Sequence, residues 1–317
     1  TTLSFSTFAA DKVKFQLDWL PGGDKAPVYV GIDKGIFAKY DLEVTINQGR
    51  GSTEAITKLA TGISDIGSAD ISALLVAKAN EDVPVSAVYS VFSQAPHAFF
   101  VVDDGTINSM ADIKGKRVAT SPFTSSNLYL PIVLNQSGLS EEDIKLTKAD
   151  PGALGPMLAT GNTDVLISWV TSTEALKSQA KQAGKTLKVM PWHEAGLEQY
   201  ATSLLASDRF LTERPDVAKR FIKAFEEAIA YTWANPVESA ESIHSIVPEV
   251  DVQVATDTIN SIHGLVYNPI SEASSLGQFD SKHLASTWKW TSAAQGIDES
   301  SFDPEEALNR AFLPEMK

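Results

Sequence analysis

The sequence predicts an α/β protein of two lobes, each built on a mainly parallel sheet flanked by helices. At 317 residues the chain is longer than one hydrophobic core usually spans, which favours two units. Strand-like and helix-like segments alternate from the start, as they do in β-α-β units. Residues 59–65 recur with five identities as residues 158–164, at the distance expected for two similarly built lobes.

The first part of the chain contains three predicted strands and two predicted helices. The strands show alternating or continuous apolar residues, and the helices show apolar residues three and four positions apart. Suitable capping residues precede the second helix, and a glycine ends it. In chain order these elements are strand 13–17, helix 28–37, strand 42–46, a helix from Ser52 or Thr53 to Gly62, and strand 63–67.

The middle of the chain continues this alternation, and the last third is mostly helical. A long helix begins at Pro215, since proline suits the first turn, and keeps helical spacing of apolar residues as far as Asn235. No low-complexity linker interrupts the chain, so we expect the lobes to share crossing strands. The remaining predicted strands are 98–102, 116–120, 165–168 and 202–206.

Composition excludes several function classes. The chain carries 26 basic and 40 acidic residues, and the resulting net charge of −14 disfavours nucleic acid as a partner. The absence of cysteine excludes disulfide frameworks and thiolate sites. The five histidines lack metal-ligand spacing, and no nucleophile-elbow, phosphate-loop or dinucleotide motif occurs. We therefore expect binding and not catalysis, with neither a cofactor nor a metal.

The chain start suggests export. Residues 1–10 are similar to the end of a signal peptide, with Thr7 and Ala9 as small residues at a cleavage site, although a disordered start is the alternative. No apolar run reaches the roughly 18 residues that span a bilayer. A soluble mature protein is expected.

Two tryptophans in loops are candidates for ligand stacking. Ligands of open α/β sheets bind beyond the carboxyl ends of strands, and Trp19 and Trp169 both follow predicted strands. Ordinary burial against a neighbouring helix is the alternative. Burying about 150 Å² of indole yields about 4 kcal/mol, half of the roughly 8 kcal/mol that micromolar affinity requires. Hydrogen bonds must supply the rest.

Polar residues at the same strand ends could supply those hydrogen bonds. Two predicted helix starts are rich in hydroxyl groups, at residues 51–53 and 121–127. Each could bind a carboxylate, sulfonate, phosphate or carbonyl oxygen, and N-capping of the helix is the alternative role. Asp18 and Asp70 could accept from an amine or cap a turn. Arg50 is the one cation in these loops, which argues against a multiply charged anion. The candidate ligand-binding residues are Asp18, Trp19, Ser52, Thr53, Ser68, Asp70, Ser121, Phe123, Thr124, Ser125, Ser126, Trp169 and Tyr200.

Several segments together resemble a known family. The chain is similar to the thiamine-pyrimidine-synthase-like substrate-binding proteins of ABC importers, which have a type II periplasmic binding fold. The resemblance implies two hinge crossings, near 98–100 and 203–206. Lobe 1 would comprise residues 11–98 and 206–317, and lobe 2 residues 99–205. The segments that carry the resemblance are 17–21, 28–37, 42–44, 49–52, 65–70 and 112–118.

The resemblance also implies a function. It indicates a monomeric, periplasmic or extracellular receptor that delivers a small, flat, pyrimidine-like molecule to an ABC permease and its ATPase at the membrane. Residues 22–26 replace the Asn and His of pyrimidine-binding members, so a sulfonate, carboxylate or amine is the alternative ligand. Fungal pyrimidine synthases use a cysteine-rich motif that this chain lacks. A self-consuming synthase and a sensory ligand-binding module are the alternative functions.

Overall fold

The computed structural model describes residues 9–315, so most of the predicted signal remnant lies outside the described residues. Ten strands in the described chain form two sheets of five strands each. In chain order they are β1 Asp11–Gln16, β2 Leu42–Asn47, β3 Ile66–Asp70, β4 Val85–Ser90, β5 His97–Val102, β6 Arg117–Thr120, β7 Lys145–Lys148, β8 Val165–Trp169, β9 Leu187–Pro191 and β10 Thr202–Ser207.

The two sheets have the same topology. The first has the strand order β2-β1-β3-β10-β4 and the second the order β7-β6-β8-β5-β9. In each sheet, one strand that arrives from the other lobe, β10 or β5, runs antiparallel between its neighbours. The other strands are parallel, so the prediction of two mainly parallel sheets is confirmed.

The repeated seven-residue segment occupies equivalent positions in the two lobes. Each copy turns at a glycine in the left-handed region, Gly62 with φ 76° and Gly161 with φ 77°. Each then places an aspartate beside the neighbouring strand: the Asp65 carboxylate accepts from the Lys14 amide at 2.8 Å, and Asp164 accepts from the Arg117 amide at 2.9 Å. The repeated segment therefore forms the same turn in both lobes.

Helices cover both faces of each sheet, and the C-terminal third of the chain is mostly helical. No helix within residues 9–315 is long and apolar enough to cross a membrane. The α-helices are α1 Ala26–Asp33, α2 Ile36–Lys39, α3 Ser52–Ala60, α4 Ile71–Asn80, α5 Ser126–Gln136, α6 Pro151–Ala159, α7 Thr173–Gln182, α8 Asp208–Glu213, α9 Pro215–Ala234, α10 Pro236–Ile246, α11 Val252–Ser261, α12 His263–Val266, α13 Pro269–Ser274 and α14 Ser281–Gln295.

The chain passes between the sheets twice, through residues 91–96 and residues 192–201. The expected crossings, near 98–100 and 203–206, fall within β5 and β10 and are corrected accordingly. Apolar runs such as Phe99–Phe100 are fully buried strand residues, so they pair in a sheet instead of bridging two sheets. By sheet membership, β10 belongs to the first lobe.

One C-terminal helix packs on both lobes. Along α14, Leu284 and Trp288 lie in the core of the first lobe, whereas Trp290 and Ala294 pack against the core of the second. A buried hydrogen bond of 2.6 Å joins the Tyr129 hydroxyl of α5 to Thr291 of α14. The helix therefore links the two cores beside the chain crossings.

Candidate functional site

A narrow cavity lies between the lobes, beyond the carboxyl ends of β1, β2, β6 and β8, where the sequence predicted the site. In this closed structure the cavity itself has a volume of only about 20 Å³, and about 340 Å³ is reached when the surrounding space open to solvent is included. Both lobes contribute to its walls, so a ligand held there would touch both. The cleft cavity is lined by Asp18, Trp19, Asp24, Lys25, Gly51, Ser52, Thr124, Ser168, Trp169, Thr171 and Ser172.

Trp19 and Trp169 line the cleft cavity from opposite lobes, and each reaches across to the other lobe. Trp19 follows β1 of the first lobe but packs on the core of the second. Trp169 ends β8 of the second lobe but packs on the core of the first. Both indoles remain partly exposed to the cavity, and the Trp169 indole N–H donates to Ser126 Oγ at 3.1 Å. The pair therefore joins the lobes around the space that a ligand would occupy.

A buried ion cluster that the sequence analysis missed forms one wall of the cavity. The Lys25 ammonium lies 2.5 Å from Asp18 and 3.0 Å from Asp24, and both the Lys25 and Asp18 side chains are only 3% exposed. Ser68 donates a further hydrogen bond to Asp18 at 3.0 Å. Burial opposes the charge of Lys25, yet the two carboxylates hold its pKa above the ordinary value. Burial raises the pKa of Asp24.

Asp70 does not line the cavity but forms a buried polar link between the lobes. Its carboxylate caps α4 by accepting from the Ser72 amide at 2.9 Å, and it accepts from Ser125 Oγ of the second lobe at 2.7 Å. Complete burial raises the pKa of Asp70 to about 6. Because the group has no access to solvent, its charge is costly to bury, and this cost is the main cause of the shift.

His97 and Gln199 extend this link, and the sequence analysis missed both residues. The imidazole lies 3.5 Å from the Asp70 carboxylate, and burial lowers the pKa of His97 to about 3, so the ring is neutral. Its two nitrogens contact Ser126 Oγ at 2.8 Å and the Gln199 amide at 3.0 Å. Neither residue follows a strand, which is why a search of strand ends did not find them.

Other predicted site residues hold the lobes against each other directly. The Phe123 carbonyl accepts from the Thr53 amide at 3.2 Å and from its hydroxyl at 3.0 Å. Ser121 Oγ donates to the Arg50 carbonyl at 2.9 Å. The Arg50 guanidinium lies 4.9 Å from the Phe123 ring centroid and 3.6 Å from Asp150 of the second lobe. The structure thus has its lobes closed.

These contacts change the roles expected for the hydroxyl-rich helix starts. Ser121 and Ser125 donate to acceptors of the first lobe, and Ser52 Oγ accepts from the Asp70 amide at 3.0 Å. Of the predicted hydroxyl residues, Ser52 and Thr124 line the cavity. The others serve closure or support a neighbour, because their hydrogen-bonding capacity is directed to protein groups.

Tyr200 is corrected outright as a ligand contact. Its ring is fully buried in the first-lobe core against Phe279 and His283, and its hydroxyl accepts from the Asp280 amide at 2.7 Å. Tyr200 lies in the second crossing, two residues before β10, and anchors that crossing to the first-lobe core. It does not line the cleft cavity.

Comparison with known proteins agrees with this architecture. The family model described as NMT1/THI5 like matches residues 23–239, about two thirds of the chain. The chain belongs to the NMT1/THI5-like family.

Within residues 9–315, no group of three or more potential ligands of the His, Asp and Glu types is placed to hold a metal ion.

The relatives of this chain carry names that indicate different functions. A Haemophilus influenzae protein assigned by name to thiamine biosynthesis is 28% identical over 247 residues, which cover 78% of this chain and 77% of that protein. The 4-amino-5-hydroxymethyl-2-methylpyrimidine phosphate synthase of Candida albicans is 24% identical over 78% of this chain and 75% of its own. The relatives of this chain thus include a protein that is named as an enzyme.

A solved structure supports the fold. The alkanesulfonate-binding protein SsuA of Xanthomonas axonopodis pv. citri, bound to MOPS, superposes with a TM-score of 0.74. The two chains are 17% identical, and the superposition covers 96% of this chain and 100% of that one. This family member therefore has the fold of periplasmic binding proteins.

Proposed function

We propose that this protein is the extracytoplasmic solute-binding protein of an ABC importer and captures a small, flat organic molecule between its lobes. The observation that carries the proposal is the reciprocal placement of Trp19 and Trp169, which line one cavity while each packs on the opposite lobe. Flat apolar faces on two sides of a cavity suit an aromatic or heterocyclic ring.

Closure of the lobes would couple binding to transport. A ligand shifts an open-closed equilibrium only by its differential affinity for the two states, and both tryptophans can contact one ligand only when the lobes meet. The loaded protein would then differ in shape from the empty one, and a permease would distinguish them. The fold shared with SsuA and the family membership support a receptor role.

A heterocyclic ligand fits the names of the relatives without being fixed by them. The pyrimidine in the name of the Candida albicans enzyme is a flat ring with polar substituents. In this chain, Asp18 lies beside the indoles as a hydrogen-bond acceptor for such substituents. We propose binding without chemical conversion, since the described residues that line the cavity offer an ion-paired cluster and no activated nucleophile.

Calorimetric titration with a panel of pyrimidines, flavins, sulfonates, amines and aromatic acids tests the proposal. We expect at least one flat compound to bind with micromolar or better affinity and, at 100 times its Kd, to stabilise the protein by about 2.7 kcal/mol. Trp169→Ala should weaken that affinity by tenfold or more, because a stacked aromatic face is lost. Trp233→Ala, at a tryptophan of α9 that donates to the Ile259 carbonyl, is the matched control and should leave the affinity unchanged.

Two results would count against this function. An unchanged affinity in Trp169→Ala would remove the stacking role. Mass spectrometry of the ligand after prolonged incubation should return it intact, and a stoichiometric or catalytic conversion would favour a synthase. Stimulation of the importer's ATPase by the loaded but not the empty protein tests the transport role.

A further inference from the structure

A wider groove continues from the cleft cavity toward solvent. It has a volume of about 360 Å³ and shares Trp19, Asp24, Ser168, Thr171 and Ser172 with the cavity. Its far side is formed by the segment that leads into α11, including Glu249 and Asp251. Cavity and groove are therefore one continuous cleft with a narrow inner part and a broad outer part.

The charges that line this cleft are strongly unbalanced. The inner part is lined by Asp18 and Asp24, and the outer part adds Glu249 and Asp251, of which Asp251 also caps α11 by accepting from the Val254 amide at 2.9 Å. Lys25 is the one basic side chain among the described residues that line either part. Four carboxylates thus face one ammonium group along the path of an entering ligand.

The single ammonium is not available to an anion. Lys25 already contacts two carboxylates within 3.0 Å, and its side chain is 3% exposed. An anion at this wall would lie beside a cluster with a surplus negative charge, and burying an uncompensated charge is costly. Arg50 does not line the cavity, and its guanidinium is engaged by Glu54 at 3.0 Å.

Two helix starts of the first lobe are also occupied. At the start of α3, the Thr53 amide donates to the Phe123 carbonyl across the lobes at 3.2 Å. At the start of α4, the Ser72 amide donates to Asp70 at 2.9 Å. Oxyanion binding at a helix terminus needs free amide donors. Both amides are thus directed to protein oxygens, the first by contact between the lobes and the second by the N-cap of its own helix.

We infer that the ligand of this cleft is neutral or cationic, with its flat part between Trp19 and Trp169 and an amino or ammonium group directed toward the carboxylates, and that sulfonates are rejected. The inference rests on the proposed binding function and specifies its ligand class. It separates this chain from the alkanesulfonate-binding protein whose fold it shares. Carboxylates only accept hydrogen bonds, so N–H donors suit this wall.

Two matched ligand series test the charge preference by calorimetric titration of the whole protein. One series is pyrimidine carrying a 5-aminomethyl, 5-hydroxymethyl or 5-sulfomethyl group, and the other is benzylamine, benzyl alcohol and benzylsulfonate. Within each series the ring is constant and only the charge changes. We expect the amine to bind at least tenfold more tightly than the sulfonate, with the alcohol between them, and the amine's affinity to fall as salt is added.

A charge-removal variant and its control locate the effect in the cleft. Glu249→Gln should weaken the amine by about two- to fivefold at low salt and leave the alcohol unchanged, as expected for one exposed charge at a rim. Glu142→Gln removes the same charge at the exposed turn before β7, at the end of the second sheet away from the cleft. It should leave all affinities unchanged.

The outcomes separate this inference from the proposed function. Tighter binding of the sulfonates, or equal weakening in Glu249→Gln and Glu142→Gln, would overturn the charge inference while leaving a ligand-binding protein. Absence of binding by every compound of both series and of the wider panel would overturn the flat-ligand function and the inference together. A sulfonate that binds with unchanged affinity at high salt would also contradict the inference.

Discussion

At the scale of single residues, one wall of the cleft depends on the burial of Lys25 between two carboxylates. Lysine is seldom buried, because its charge must be paired inside the protein. The sequence analysis counted Arg50 as the one cation near the cleft. The structure reverses the two: Lys25 is enclosed, and the Arg50 side chain is 51% exposed. The adjacent acidic residue Asp24 and the earlier Asp18 were the available signal, since a buried lysine requires partners. Asp18, Trp19 and Trp169 were predictable because each stands where a strand ends.

Removing Lys25 should cost far more stability than removing a surface lysine. In Lys25→Met, the carboxylates of Asp18 and Asp24 would remain buried without a counter-charge, and we expect a loss of about 3–5 kcal/mol in the free energy of unfolding. Lys34→Met is the control, because Lys34 pairs with Asp33 at 3.2 Å on the surface, where a pair contributes about 1 kcal/mol or less. Urea denaturation measures both, and similar losses in the two variants would contradict the role of the cluster.

Asp70 and His97 should oppose each other in the pH dependence of stability. The pKa of Asp70 is raised from 3.8 to about 6, so its protonation favours the folded state as pH falls from about 6 to 4. The pKa of His97 is lowered from 6.5 to about 3, so on acidification the unfolded chain binds a proton at this residue before the folded protein does. The stability of the folded state therefore decreases as the pH is lowered from about 6.5 to 3. Between pH 4 and 6 the two effects therefore cancel in part.

Single variants should expose each effect. In Asp70→Asn, which retains a good capping residue, stability should fall more steeply on acidification than in the wild type. In His97→Gln it should fall less steeply, or rise, between pH 6 and 4. Each slope should differ from the wild type by up to about 1.4 kcal/mol per pH unit. Denaturation curves at several pH values give the slopes, and identical slopes in both variants would refute the assignment.

At the scale of elements, the strand and helix pattern was largely predictable, whereas the points of crossing were not. Strands such as β2 follow from strict alternation, and α9 follows from helical spacing after Pro215. The crossings lie in residues 91–96 and 192–201, which carry no periodicity of their own. A buried apolar strand reads alike whether it pairs in the first sheet or the second, since pairing partners are set by tertiary contacts.

Closure should depend on Gly51, the N-cap of α3, which lies at the contact between the lobes. Its φ is 154°, and a Cβ placed there would clash with the Phe123 carbonyl oxygen of the second lobe. Gly51→Ala should therefore hold the lobes apart, lower the affinity for the ligand by tenfold or more, and increase the radius of gyration of the loaded protein in small-angle scattering.

Gly62→Ala provides a matched control for this change. Gly62 also has a positive φ, of 76°, but a Cβ there would meet no atom within 4 Å. Alanine at this position should cost about 1 kcal/mol of stability from backbone strain and leave both affinity and closure intact. Equal losses of affinity in the two variants would show that strain, and not the contact between lobes, explains the effect of Gly51.

At the scale of the whole molecule, the first lobe is built from the N-terminal and the C-terminal parts of the chain. β10 and the C-terminal helices complete the sheet and core that β1 to β4 begin. The second lobe is inserted between them, and α14 then packs on both cores. The first lobe is incomplete without β10 and the C-terminal helices, which follow the second lobe in the chain. The second lobe in turn packs against α14, which belongs to the first lobe.

This arrangement predicts that the lobes unfold together. Scanning calorimetry of the ligand-free protein should give one transition whose calorimetric and van 't Hoff enthalpies agree, in spite of two separate cores. Trp290→Ala, which removes the indole of α14 that packs on the second-lobe core, should broaden or split the transition. Trp288→Ala, within the first-lobe core on the same helix, should lower stability by about 3–5 kcal/mol and keep one transition. Two resolved transitions in the unaltered protein would mean that the two crossings and α14 do not couple the cores, and closure would then join two independently stable bodies.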